Sequence, residues 1–331
     1  MNSRNYKIYF STLLALTTLS GIISSCTSNE ESVVQTDMQW IRETQNPVFR
    51  DVYSNGSYES ASDGHIFYDD AGNLRMIYSG DVDDNSSIKM TSGTSVSNWG
   101  MGIPLLSQPN ENSTDVNKET AFYRKADDGK HQMFYIGYED SESYQSQIFL
   151  AESDNPESGY EQIAEPVVPR GTIAGKSVYC ITSPSVVEHE GALYMTFIGW
   201  NNRPNDVTEI WQMGAVSNDD GYTWSDFQLI ETPIAAEGQL TKTPDGDFVA
   251  VRTDEYRNTE AIFYATSTHP FGPWTYEDEP IIVMDNSILE KDEVIAPQIT
   301  FNPQSGEEHL FYTGADYDKG WWMMLAEKPS L

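Results

Sequence analysis

One strand-rich phrase recurs five times along the chain, and its period narrows the folds open to it. Each copy is an apolar strand, a short turn, a second strand ending in Gly or a polar residue, and a third strand. The second strands read Leu74–Gly80, Met133–Gly137, Leu193–Gly199, Phe248–Thr253 and Leu310–Gly314. The third strands read KMTSGTSV, IFLAESDN, MGAVSNDD and IFYATSTH, with MMLAEKPSL as a partial copy at the end. The spacing is about 54 to 62 residues. A strand-rich unit of that length reads as a propeller blade. A lone blade leaves a sheet face bare, so blades must stack to build a core. The expected fold is therefore all-β: a five-bladed β-propeller filling residues 38–331 as one domain.

Connections are expected in two classes. Short Gly-bearing turns join the first and second strands, as in Asp127-Asp128-Gly129 and Pro244-Asp245-Gly246; this is hairpin chemistry. Longer loops are expected between strands two and three, and between blades, on the opposite face. Function is expected on that face, around the channel mouth. The last blade lacks a fourth strand, and Trp40–Phe49 has the form of one, so the ring is expected to be closed by an N-terminal strand. Ser217–Trp224 (SNDDGYTW) matches the Asp-box turn pattern and reads as structural.

Composition sorts the partners. The formal net charge is −32, which argues against nucleic acid, since phosphate binding needs a basic stripe. Arg4 and Lys7 precede a mostly apolar stretch too short for a comfortable span. Ile23-Ser24-Ser25-Cys26 resembles a bacterial lipoprotein cleavage box. That resemblance implies a signal peptide over 1–25, lipid on Cys26, a flexible tether over 26–37, and an exported lipoprotein at the outer membrane or cell surface. Membrane contact is then through the anchor at Cys26 alone. The other cysteine, Cys180, lies in an apolar stretch and reads as a small buried hydrophobe.

The innermost strands should begin at the axis. Their first residues are Asp63, Glu119, Ser183, Glu237 and Glu293 or Ala296. Several carboxylates are thus delivered to one small region. Like charges there raise at least one pKa and split the set into an acid and a base. Glu293 is set aside, because Glu290 and Asp292 suggest a solvated loop.

These residues resemble the five-bladed propeller glycosidases, glycoside hydrolase family 43 and its relatives. Asp63 in ASDGHIF resembles the first-blade Asp-Pro motif of the general base, with Gly64 in place of Pro. Glu237-Gly238 resembles the Glu-Gly motif of the general acid. The family's third residue, an Asp before Pro on blade three, is Ser183 before Pro184 here. Glu119 is expected to take that role, and the departure points to a sister family. The resemblance implies inverting hydrolysis of a plant, algal or microbial oligo- or polysaccharide, with Asp63 activating water and Glu237 protonating the leaving oxygen.

Substrate-binding candidates beside these are Ser183, Arg124, Arg252, Trp200 and Trp321, with Tyr256, Tyr317 and Trp322 as further aromatic platforms. No paired His spacing, EF-hand loop or phosphate-binding Gly-rich loop is present, so neither metal nor cofactor is expected. A non-catalytic glycan-binding propeller is the reading from another class. A sialidase is disfavoured by the single full Asp-box. A mannoside-type phosphorylase needs a basic phosphate pocket in place of one carboxylate.

Overall fold

The computed structural model describes residues 40–52, 58–82, 85–106, 114–163, 165–230 and 237–328. The expected leader, Cys26 and tether lie outside these residues. No helix among them is long and apolar enough to cross a membrane.

Five antiparallel sheets follow one another around an axis, as the repeat requires. The inner strands are Ser62–Tyr68, Asn117–Lys125, Cys180–His189, Glu237–Lys242 and Glu293–Phe301. The second strands are Leu74–Val82, His131–Tyr138, Ala192–Trp200, Phe248–Tyr256 and Glu308–Asp316. The core lies between blades. Ile136, Ile148 and Leu150 of blade 2 pack on Ile181, Val186 and Phe197 of blade 3. Val249 and Ile262 of blade 4 pack on Val294, Leu310 and Tyr312 of blade 5. Between blades 3 and 4 the buried apolar set shrinks to Val187, Leu240 and Phe248.

The expected closing strand is corrected. No sheet of the described residues is closed on itself by hydrogen bonds; each blade is an open sheet. The N-terminal segment adds a two-residue ladder, Ile41↔Glu327 and Arg42↔Ala326, to the edge of blade 5, and one bridge, Phe49↔Met323. The ring is held by side-chain packing between neighbouring blades. The physical reason is that a blade buries both its faces against neighbours, so its edges need not meet.

The two classes of connection are also corrected in part. The second and third strands of blade 4 join through Arg257-Asn258, both left-handed at φ 53 and 67. In blade 5 only residues 317–319 separate them. On this face, blades 2 and 3 carry the longer second-to-third loops, at 139–146 and 201–209.

The Asp-box turn is built as its pattern requires. Asp219 Oδ1 accepts from Thr223 N (2.9 Å) and Ser217 Oγ (2.8 Å), and Trp224 Nε1 donates to Gly221 O (3.0 Å). Gly221 has φ +93, and a Cβ there would meet Phe134 Cζ of blade 2 at 2.6 Å. The turn is thus a wedge into the neighbouring blade.

Ion pairs on buried carboxylates pin the segments that enter blades 1, 2 and 5. Arg42 donates to both Glu290 oxygens (Nε–Oε1 2.7 Å, Nη2–Oε2 2.6 Å) and to Val283 O (2.6 Å). Glu290 is fully buried and also accepts from Tyr312 (2.7 Å). Asp51 accepts from Tyr78 (2.6 Å) and pairs with Lys89; Asp115 accepts from Tyr135 (2.8 Å) and pairs with Lys118 (3.5 Å). Truncating one partner of a buried pair leaves the other charge unpaired. Arg42→Ala is therefore expected to lower stability by about 3 kcal/mol or more, read as a drop in the urea midpoint.

Candidate active site

Four inner strands break register at the same level. Asp63-Gly64 stands opposite the single residue Tyr78, Thr120-Ala121 opposite Tyr135, Ser183-Pro184 opposite Phe197, and Ala296-Pro297 opposite Tyr312. Each is a β-bulge, two residues against one. The first residue of each is left-handed: Asp63 φ 53, Thr120 φ 50, Ser183 φ 52, Ala296 φ 49. Neighbouring blades satisfy two of the displaced N–H groups. Asp63 N donates to Thr313 Oγ1 (3.1 Å) and Thr120 N to Ser79 Oγ (2.9 Å).

Blade 4 does without a bulge. Glu237 to Lys242 pair with Thr253 to Phe248 in unbroken register. Gly238 is the residue that permits this, since a Cβ there would lie 2.3 Å from Val251 O and 2.8 Å from Arg252 Cα. The Glu-Gly pair thus has a steric reason. Glu119 faces Ile136 one residue ahead of its bulge, the register that Glu237 holds opposite Thr253. The blade 2 counterpart of Asp63 is therefore Thr120.

The carboxyls act on one another. Asp63 is 8% exposed and its pKa is pushed up to about 6, first by burial and then by the charge of Glu119, against hydrogen bonds from Ser62 and Ser79. Glu237 is held well above the usual carboxylate range, first by burial and then by Asp63, Glu293 and Glu119. The residue keeps some exposed surface, but its Oε2 is buried and has no hydrogen-bond partner among the described residues. Glu119 accepts from Tyr138 (Oε1, 2.5 Å) and Tyr144 (Oε2, 3.1 Å).

Two carboxyls that the sequence reading set aside or missed belong to the same group. Glu293 is 7% exposed, not solvated, and accepts from Tyr317 OH (2.5 Å) and Trp321 Nε1 (3.1 Å). Its pKa is raised by burial, which outweighs those two hydrogen bonds. Glu260, from the third strand of blade 4, accepts from Val294 N (2.7 Å); burial and then Glu293 push its pKa up to about 8. The missed signal was partnership: residues 317 and 321 lie far from Glu293 in sequence.

A polar floor lies two residues below the bulges. His65 Nδ1 is 3.3 Å from Gln239 Oε1 and 3.2 Å from Gln298 Nε2, and the Phe122 ring lies tilted against it with centroids 4.1 Å apart. Burial lowers the His65 pKa to about 4, so the ring is neutral. Blades 1 and 4 are not neighbours, so the His65–Gln239 contact crosses the axis.

The remaining candidates scatter. Arg124 is not brought to the carboxyls; it binds Asp220 Oδ1 (2.7 Å) and Gln132 Oε1 (2.6 Å) beside the Asp-box turn. Arg252 lines a cavity of about 40 Å³ between blades 3 and 4, with Trp274 and Tyr276, and its guanidinium lies 4.9 Å from the Tyr276 ring. That space suits a water, not a sugar. Trp200 is 4% exposed and packs on Cys180 and Ile198, with Tyr144 against the same group. The Cys180 thiol is buried and its pKa is pushed up to about 12. Ser183 is buried at the blade 3 bulge. Trp321 joins the carboxyl group through Glu293, while Trp322 is buried and donates to Leu289 O. Tyr256 is tied to Glu279. No group of three or more His, Cys, Asp or Glu among the described residues is arranged to hold a metal ion.

No protein-family model matches this chain, and no curated protein matches it. Solved structures do. A glycoside hydrolase superposes with a TM-score of 0.67 at 13% identity, over 85% of this chain and 91% of the other. The α-L-arabinofuranosidase from Podospora anserina gives 0.64 at 11% identity, over 88% and 97%. The endo-arabinase from Bacteroides thetaiotaomicron gives 0.61 at 14% identity, over 82% and 95%. At such identities the likeness is one of fold: a five-bladed propeller of the kind found in family 43 glycoside hydrolases.

A carboxyl whose pKa rises on folding holds its proton more tightly in the native state. The contribution of Asp63 is full below its unfolded value of 3.8 and is lost as pH rises through about 6. Asp63→Asn is therefore expected to be more stable than the wild type at pH 8, by about 3 kcal/mol. The gap should close near pH 4, as read by thermal melting at the two pH values.

Proposed function

We propose that the protein is a glycosidase that cleaves a glycosidic bond in a plant, algal or microbial glycan by inversion. The observation that carries the reading is that Asp63 and Glu237 each stand two residues above a contact that joins their non-adjacent blades across the axis, His65 Nδ1 to Gln239 Oε1 at 3.3 Å. Burial and then the charge of Glu119 push Asp63 up to about 6, while burial and then the charges of Asp63, Glu293 and Glu119 hold Glu237 well above the usual range. Near neutral pH that leaves an ionised base beside a protonated acid. Asp63 activates a water, and Glu237 gives its proton to the leaving oxygen. Glu119, fixed by two tyrosines, tunes Asp63 through its charge. Ser183 and Trp321 line the same mouth as substrate contacts. The lipid anchor at Cys26 and export to the cell surface belong to this reading and rest on the leader sequence.

Ser183, standing where the related enzymes have an Asp, favours a second reading, a propeller that binds glycans without cleaving them. Sugar release from a panel of aryl furanosides and native glycans separates the two. Under the hydrolase reading, Asp63→Asn and Glu237→Gln each lower kcat by about 10²–10⁴. Wild-type kcat/KM should fall on the acid side with a midpoint near 6, where Asp63 takes its proton. Glycan binding that is equal in all three proteins, with no sugar released, would leave the binding reading standing.

A further inference from the structure

Glu293 opens the inner strand of blade 5 and is nearly inaccessible to solvent. Its two oxygens are each taken by one donor, Tyr317 OH and Trp321 Nε1. Both donors come from one tight hairpin, and that hairpin is braced. Tyr317 N donates to Asp292 Oδ2 (2.8 Å), and Asp318 N to Asp316 Oδ1 (3.0 Å). Lys319 and Lys291 pair with the buried Asp316 at 2.6 and 3.3 Å. The carboxylate is therefore held in one orientation before any ligand arrives.

A carboxylate offers about four acceptor sites, and the described contacts of Glu293 use two. Glu237 adds a buried Oε2 with no donor among the described residues. The mouth thus presents polar oxygens that a ligand must partner, and sugar hydroxyls, which both donate and accept, can do so. Trp321 O accepts from Ala61 N (3.1 Å), two residues before Asp63, so the clamp adjoins the strand that carries Asp63, and the charges of Asp63 and Glu119 bear on the same group. A ligand carboxylate would add a further like charge in a poorly solvated place.

We propose that Glu293 is a positioning and specificity residue of the glycone subsite: its clamped carboxylate accepts hydroxyls of an uncharged sugar and repels sugars that carry a carboxylate. This rests on the glycosidase reading, and it narrows the substrate class to neutral glycans over uronic and sialic acids.

The test uses the purified protein with paired aryl glycosides, neutral pentosides and hexosides against their uronides. Glu293→Gln keeps the size and removes the charge. It should raise KM for the preferred neutral glycoside about 10–100-fold, with a far smaller change in kcat. It should also narrow the preference for neutral sugar over uronide by about 10-fold or more. Glu293→Asp keeps the charge and should hold the discrimination while KM stays high. A purely structural role would not move the neutral-to-uronide ratio. Glu293→Gln matching the wild type in KM and discrimination overturns the inference alone. A wild type that cleaves no glycoside in the panel overturns the hydrolase reading and the inference with it. Should Glu293→Gln fail to fold, Tyr317→Phe decides: loosening the clamp raises KM, and an unchanged KM rejects the proposal.

Discussion

Asp63, Thr120, Ser183 and Ala296 occupy left-handed backbone at one level of four inner strands. That conformation costs a side-chain-bearing residue about 1–2 kcal/mol, so it persists only where the surroundings insist on it. Here they do. The paired strand continues behind each bulge with one large residue, Tyr78, Tyr135, Phe197 or Tyr312. Three of these rings are fixed by a buried carboxylate. The bulge turns the strand at the axis, and Asp63 is the one of the four that carries a carboxyl. In blade 4, Gly238 permits close approach of the second strand instead, and Glu237 precedes it in unbroken register.

The use of charge divides between perimeter and axis. Arg42, Lys89, Lys118 and Arg124 are engaged by Glu290, Asp51, Asp115 and Asp220 away from the channel mouth. These pairs hold incoming segments and neighbouring blades. At the mouth the charges acting on Glu237 are all carboxyls. Burial is the first cause of every raised carboxyl there, and repulsion follows. Proton affinity at the mouth is thus a property of the group, set by how few waters and counter-charges reach it.

Much of this was legible from residues alone, because repetition and spacing are local properties. The five second strands mark the blades, the Asp-box pattern marks a turn, and Asp63 and Glu237 sit at recognisable strand starts. What sequence hid is partnership across distance. Arg124 looks like an inner-strand cation free to meet substrate, yet Asp220 of the next blade claims it. Glu293 looks solvated between charged neighbours, yet Tyr317 and Trp321 enclose it. Trp200 looks like a platform, yet Cys180 and Ile198 cover it. The bulges shifted Glu119 by one residue from the place its strand start suggested, since a two-against-one insertion leaves no mark in an apolar pattern. The closing strand proved a short edge pairing because inter-blade packing already holds the ring.

The layer formed by His65, Gln239, Gln298 and Phe122 has a consequence for traffic. Side chains from non-adjacent blades meet there, and all four are almost wholly shielded from solvent. The central passage is therefore a blind well and not a tunnel. Whatever is taken in at the rim must depart over the same rim, and a polymer cannot be threaded through from one side of the disc to the other.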